Sequence, residues 1–335
     1  MRSRFHPSSH TFAARRVGLL VGLLACCAAS APALAQPEAL WPSRPITFVV
    51  PFGPGTATDV IARAIAEPMA RTLKTSVVVE NRPGANASIG ASGVAKAKPD
   101  GYTVLLGSST THAANAALFH KLSYDPIVDF TPITLLGEVP QVMVVGPAVP
   151  ARTVAEFMAY ARSQPGKISY GQGSSGNLLP AAILNRRQAL GMDVVAYRSP
   201  PQALVDVMGG HVPLMFADIS LSLTNIRAGK LRALAVTSLT RSPLLPDVPP
   251  LADTLPGFQL TSWIAMWAPA ATPAPLVQKL NQAAHAAMRD KDVAAKLLAT
   301  GFTLQTSTPQ DLGLLVAKET VKWAKFVTEA GVERQ

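Results

Sequence analysis

ITFVVPFGPGTATD, residues 46 to 59, is the stretch whose reading decides the fold. The β-branched run Ile46 to Val50 reads as a buried strand. Pro51-Phe-Gly-Pro-Gly55 breaks it, and a helical pattern runs from about Asp59 to Leu73. A strand that turns directly into a helix is the repeating unit of a parallel sheet covered by helices. Further strands are expected at Val77 to Val79, Thr103 to Leu106, Val142 to Val145, Ile168 to Tyr170, Val194 to Ala196, Leu214 to Phe216, Ala233 to Thr237 and Ser262 to Ala268. That is too many for one compact sheet of this size, so the class is α/β with two lobes, each a mainly parallel sheet flanked by helices.

The tail has a different texture. Pro275 to Met288, Val293 to Ala299 and Pro309 to Ala330 carry apolar residues at helical spacing, such as Leu276, Leu280 and Ala284. These helices need a surface to cover. The chain is therefore expected to leave a first lobe near Val139-Pro140, build a second, and return near Pro256-Gly257. The expected organisation is a first lobe from residues 36–139 and 258–335 with a second lobe from 140–257. Two chain crossings between lobes make a hinge, and the cleft beside it is where an α/β ligand sits.

Ahead of the lobes, Arg2, Arg4, Arg15 and Arg16 precede the apolar run Val17 to Ala29 and then Ala33-Leu34-Ala35. That is the pattern of a secretory signal peptide over residues 1–35, cleaved after Ala35, which places the protein in the periplasm. Leu23-Leu24-Ala25-Cys26 resembles a lipoprotein box and is the minor alternative. Both cysteines of the chain, Cys26 and Cys27, fall in this segment. The exported remainder has no disulfide and holds together by its core alone.

The 335 residues carry a formal charge of +10, from 30 Lys and Arg against 20 Asp and Glu. Four of the arginines leave with the leader. What remains is dispersed, without a basic run or interleaved aromatics, so nucleic acid is not an expected partner.

Three strand-to-helix junctions rich in Gly, Ser and Thr carry whatever chemistry the chain has. The first is Pro51 to Asp59, where Thr58 or Asp59 is the expected cap. The second is Gly107-Ser-Ser-Thr-Thr-His112, and the third is Gly171 to Asn177 with Asn177 as the expected cap before Leu178 to Leu190. The amides at helix starts attract anions. No Gly-Lys-Ser/Thr follows the first junction, so it is not a Walker loop.

Gly171-x-Gly173-x-x-Gly176 has the spacing of a dinucleotide fingerprint. The acid that would hold the ribose must sit at the far end of the next strand, whereas Asp193 falls at its start. No cofactor is expected. Nor does the chain carry a Gly-x-Ser-x-Gly elbow, a His-Glu-x-x-His helix or clustered metal ligands. His112, among hydroxyls, is the one histidine expected to touch a ligand; His120, His211 and His285 read as ordinary surface or core residues. Tyr197 and Arg198 follow a strand and can reach the cleft. Asp218 either accepts from a ligand amine or hydroxyl or caps the helix beginning near Leu221, and the cap is the expected use.

Several motifs together resemble a known family. Trp41-Pro-Ser-Arg-Pro-Ile46, the first Gly/Pro junction, Glu80-Asn-Arg-Pro-Gly-Ala85, Pro99-Asp-Gly-Tyr102, Tyr124-Asp-Pro126 with Asp129-Phe130, and Gly229-Lys-Leu-Arg-Ala-Leu-Ala235 resemble the tripartite tricarboxylate transporter receptors, also called Bug-type periplasmic binding proteins. Arg241-Ser-Pro and Leu245-Pro-Asp-Val-Pro249 add to the likeness, which runs from about residue 41 to the C-terminus.

The resemblance implies a type II Venus-flytrap receptor, not an enzyme. It is expected to close as a monomer on a small organic acid and present it to the membrane permease subunits of such a transporter. Ligand contacts carried over fall on Gly55, Thr56, Ala57, Thr58 and Asp59, on Ser109, Thr110 and His112, on Ser174, Ser175, Gly176 and Asn177, and on Tyr197 and Asp218. Where the family usually has other residues, this chain has Thr56, Ser174, Pro180 and Ser199. The alternatives are a periplasmic α/β hydrolytic enzyme using His112 or a serine of the Gly107 loop, and a ligand-sensing receptor that feeds a signalling partner.

Overall fold

The computed structural model describes residues 41–335, of which Pro42–Gln335 form one compact unit. The expected leader, its cleavage after Ala35 and the lipoprotein box at Cys26 lie outside the described residues.

The opening stretch folds as a strand, a turn and a helix: β1 (Ile46–Val50) leads into α1 (Ala57–Leu73). The helix starts earlier than its apolar periodicity predicts. Thr56, not Thr58 or Asp59, is the N-cap, with its hydroxyl oxygen accepting from the Asp59 amide at 3.4 Å. Next come β2 (Val77–Asn81), α2 (Ser88–Ala95) and β3 (Thr103–Ser108). β1 pairs in parallel with both β2 and β3. β3 ends in a π-helical turn, Thr110–Ala114, continued by α3 (Asn115–Leu118). Single π turns inside helices recur at functional sites, because the extra residue re-aims the side chains around it.

The largest difference from the sequence reading is β4 (Phe130–Val145), which is far longer than expected. Pro132, Gly137 and Pro140 hide its first twelve residues, Phe130 to Gln141, since proline removes a ladder donor and glycine breaks the alternation. The strand absorbs them through register shifts at Pro132/Thr134 and Leu135/Gly137.

Beyond it lie α4 (Val154–Arg162), β5 (Ser169–Gln172), α5 (Ser175–Gln188), β6 (Asp193–Ala196), α6 (Pro200–Met208), β7 (Leu214–Asp218), α7 (Ile219–Arg227) and β8 (Arg232–Val236). The chain then returns through β9 (Thr261–Pro269), α8 (Ala274–Arg289), α9 (Lys291–Leu298), β10 (Thr303–Leu304) and α10 (Pro309–Ala330).

The strands group into two sheet regions joined through one shared strand. They form one hydrogen-bonded order, β2-β1-β3-β9-β4-β7-β5-β6, with β8 and β10 also on β4. β4 belongs to both regions: its register with β9 ends at Pro140↔Thr261, and its register with β7 begins at Gln141↔Asp218. The outer ladders are parallel, whereas every ladder made by β4 or β9 is antiparallel. That follows from the path, because strands that carry the chain out of one region and back run against their neighbours.

The main core runs from Val49 and Leu105 through Phe157, Ile183 and Phe216 to Trp323. A second core, including Val142, Leu204, Met215 and Val236, lies under α6 and α7. α10 ties the two regions. Buried Glu319 accepts from the indole N–H of Trp263 on β9 at 3.0 Å and of Trp323 at 2.9 Å, while the far end of α10 receives Arg187 of α5 at Glu329 and Arg186 at the Thr328 carbonyl.

Candidate functional site

The junctions after β1, β3 and β5, the end of β7, the start of β9 and the middle of β4 surround a small cavity. Its wall comprises Phe52, Thr56, Ala57 and Thr58 from the first junction, Ser108 and Thr110 from the second, and Ser174 from the third. Val139, Gln141, Pro200, Asp218, Ser262 and Ile264 complete it. The volume is about 30 Å³, enough for roughly two water-sized groups. α1 and α5 both begin at this wall, and the first amides of a helix have no acceptor within it.

Each junction is shaped by close approach. A Cβ on Gly173 would overlap the backbone of Ser199 and Pro200, and one on Gly176 would lie 2.8 Å from Gln141 Nε2 and from Ser262 Oγ. The glycine spacing of residues 171 to 176 therefore lets this loop pack against the turn before α6 and against the cavity wall. β6 pairs Asp193 with Ser169, at the start of β5, so that acid sits at the end away from the loop.

Ser174 is the N-cap of α5, accepting from the Asn177 amide at 3.4 Å, which corrects the expectation that Asn177 caps it. The Asn177 side chain faces inward instead. Its Nδ2 donates to the Phe216 carbonyl at 2.9 Å and to Gln141 Oε1 at 3.2 Å, and its Oδ1 accepts from Ser174 Oγ at 2.9 Å and from the Gly173 amide at 3.3 Å. This orients Gln141, whose Nε2 donates to Asp218 Oδ1 at 2.8 Å.

Asp218 holds the N-cap position of α7 but makes no side-chain cap bond, so the expected cap is not how it is used. Its carboxylate crosses the cavity and accepts from the Ala57 amide at 3.4 Å. Burial pushes its pKa up to about 6, partly opposed by that amide. Two further bonds join the same regions: the Gly53 amide donates to Ser199 Oγ at 2.8 Å, and Asn86 Nδ2 donates to Ser175 Oγ at 2.8 Å.

Of the residues singled out in the sequence, Thr56, Ala57, Thr58, Thr110, Ser174 and Asp218 line the cavity. Gly176 and Asn177 lie directly behind the wall. Gly55 is exposed, with its amide donating to Asp59 at 2.9 Å. Asp59 is buried and accepts also from Arg63 and Asn81. Burial raises its pKa, but the bonds from Arg63, Gly55 and Asn81 outweigh it and hold the carboxyl below its usual range.

Tyr197 donates to Asp206 at 2.6 Å and faces a different pocket, beside Asn86 and Gln335. Ser109 is fully buried with no partner for its hydroxyl. His112 is a core residue, its ring stacked on Trp267 at 3.6 Å and edge-on to Phe130 at 4.8 Å. Burial drives its pKa down to about 3.

Sequence reasoning passed over Gln141 and Ser262 as site residues, and singled out Ser199 without giving it a contact. Gln141 had one signal, a long polar side chain between Val139 and Val142 where the neighbours are apolar. Among the described residues no group of three or more His, Cys, Asp or Glu is placed to hold a metal ion. No helix of the described residues is long and apolar enough to cross a membrane.

A cavity between two strand regions, walled by hydroxyls and helix starts, lies where a two-lobed periplasmic solute-binding protein holds its ligand. Comparison with known proteins agrees. The family model for the tripartite tricarboxylate transporter family receptor matches residues 61–332. Protein BugT of Bordetella pertussis is 34% identical over 298 residues, covering 88% of this chain and 91% of BugT. Rpa4515 of R. palustris, solved with adipate, is 33% identical with a TM-score of 0.85, covering 88% of this chain and 100% of the other. MatC of Rhodopseudomonas palustris, solved with bound malate, is 35% identical with a TM-score of 0.82, covering 86% and 100%. The chain belongs to the tripartite tricarboxylate transporter receptor family, in its Bug-type branch. That is a family of solute-binding receptors, not of enzymes.

Proposed function

We propose that this chain is a periplasmic receptor that closes on a small organic acid and delivers it, as a monomer, to the membrane permease subunits of a tripartite tricarboxylate-type transporter. The observation that carries the reading is the set of bonds between the two regions that border the cavity, from Gly53 to Ser199, from Asn86 to Ser175 and from Ala57 to Asp218. All three join residues 36–139 to residues 140–257, which we take as the two lobes, with residues 258–335 returning to the first. Such bonds form on closure and favour the closed state. The acids found in Rpa4515 and MatC support a carboxylate ligand here.

The acid's charged end is assigned to the start of α5, where the Ser175 and Gly176 amides sit beside the Ser174 hydroxyl. Export requires the leader to be removed after Ala35, so the intact mass of the protein recovered from the periplasm should correspond to a chain beginning at Gln36. A thermal-shift screen of small mono- and dicarboxylic acids tests the ligand class. An acid at about 100 times its dissociation constant adds about 2.7 kcal/mol to stability. A panel without any stabilising acid, or a bound acid that is chemically converted, contradicts the proposal.

A further inference from the structure

The cavity wall is uneven in charge. Thr58, Ser108, Thr110, Ser174 and Ser262 present hydroxyls, which donate or accept as a ligand requires. Asp218 is the one ionisable residue of the wall, and no Lys, Arg or His of the described residues lines it. An ionised carboxylate only accepts.

Asp218 is also fixed in place. Gln141 Nε2 holds Oδ1 at 2.8 Å, and Gln141 cannot turn its amide over without losing the bond that its Oε1 accepts from Asn177. The Ala57 amide holds Oδ2 at 3.4 Å. Arg63, on α1, is committed to Asp59 at 3.0 Å. A ligand end that approaches Asp218 therefore meets a fixed acceptor whose charge is countered only by neutral dipoles.

We propose that Asp218 selects the second end of the ligand: the cavity takes an acid ionised at one carboxylate only, whose other end presents an N–H or O–H donor such as an amide or ammonium. A donor there forms a charge-assisted hydrogen bond. A second ionised carboxylate brings like charge against like charge in a site with little water to screen it. The inference rests on the receptor reading and narrows it from organic acids to acids with one donor end.

The test is titration calorimetry at about pH 8, where free dicarboxylic acids are doubly ionised. The probes are succinate against succinamate, and adipate against adipamate and 6-aminohexanoate. In whichever chain length binds, the amide or amine is expected to bind about ten-fold or more tighter than the diacid. Asp218→Asn is expected to bring the two to within about three-fold of each other, because the new amide tolerates either end. A wild-type protein that binds the diacid as tightly as its amide, with or without uptake of a proton, overturns the inference and leaves the receptor reading standing. A protein that binds none of these probes or any acid of the wider panel overturns both. Should Asp218→Asn fail to fold, the wild-type ratio alone decides.

Discussion

Asn177→Ala separates a structural role for this residue from direct ligand contact. The substitution removes two donors and an acceptor from a buried site. The Phe216 carbonyl, Gln141 Oε1, the Ser174 hydroxyl and the Gly173 amide each lose a partner. A buried polar group left unpaired costs about 1–3 kcal/mol. Some relief comes from Ser174, which borders the cavity and can be hydrated, so the expected loss is about 2–4 kcal/mol. For a chain of this size each kcal/mol lowers the melting temperature by about 2 °C or slightly more. Thermal denaturation followed by circular dichroism should show a fall of about 4–10 °C without ligand. Acid affinity should drop only a few-fold, through the loosened Gln141. An unchanged melting temperature together with an affinity loss of about ten-fold or more would refute the reasoning, since the Asn177 amide would then be bonded to the ligand.

Gly173→Ala should be among the most damaging single-atom additions, because the new methyl meets the backbone of Ser199 and Pro200, which cannot swing aside; soluble yield and melting temperature should both fall, at a cost of about 1–3 kcal/mol or more. Ser199→Ala removes the hydroxyl that receives the Gly53 amide from the other region. A neutral hydrogen bond is worth about 0.5–1.5 kcal/mol, so calorimetry should show acid binding weakened by about two- to twelve-fold. His112 has a folded pKa of about 3 against an ordinary value of 6.5, so the unfolded chain binds more protons between those values and its contribution to stability is lost as pH falls through that window. His112→Phe should flatten the acid limb of a melting-temperature profile between about pH 6 and 4. Asp218 acts with the opposite sign: its pKa is raised to about 6, so its contribution is present below about pH 4 and lost as pH rises through 6. Asp218→Asn should therefore raise the melting temperature more at about pH 8 than at about pH 4.

Much of the architecture is written in local pattern. Ile46 to Val50 and the three C-terminal helices stand where their periodicity places them, because buried strands and amphipathic helices repeat on fixed periods. The stretch of β4 from Phe130 to Gln141 was illegible for a physical reason. Its prolines and Gly137 are tolerated only through register shifts and partner strands that come from distant sequence. The same limit applies to the cavity. The Gly, Ser and Thr junctions announce themselves, but Gln141 reaches Asp218 across 77 positions and Ser199 reaches Gly53 across 146. His112 misleads because its neighbours in sequence are hydroxyls while its neighbours in space are Trp267 and Phe130. Thr56 and Ser174, whose roles the sequence left open, are the N-caps of α1 and α5.

A crystal structure of the protein grown with whichever acid binds most tightly tests the central claim directly. One acid molecule is expected between β4, β7 and β9, its carboxylate on the Ser175 and Gly176 amides and its other end within hydrogen-bond distance of Asp218. An acid bound outside this cavity would contradict the receptor reading proposed for this chain, and one seated with its carboxylate against Asp218 and its uncharged end at the start of α5 would contradict the role given to Asp218.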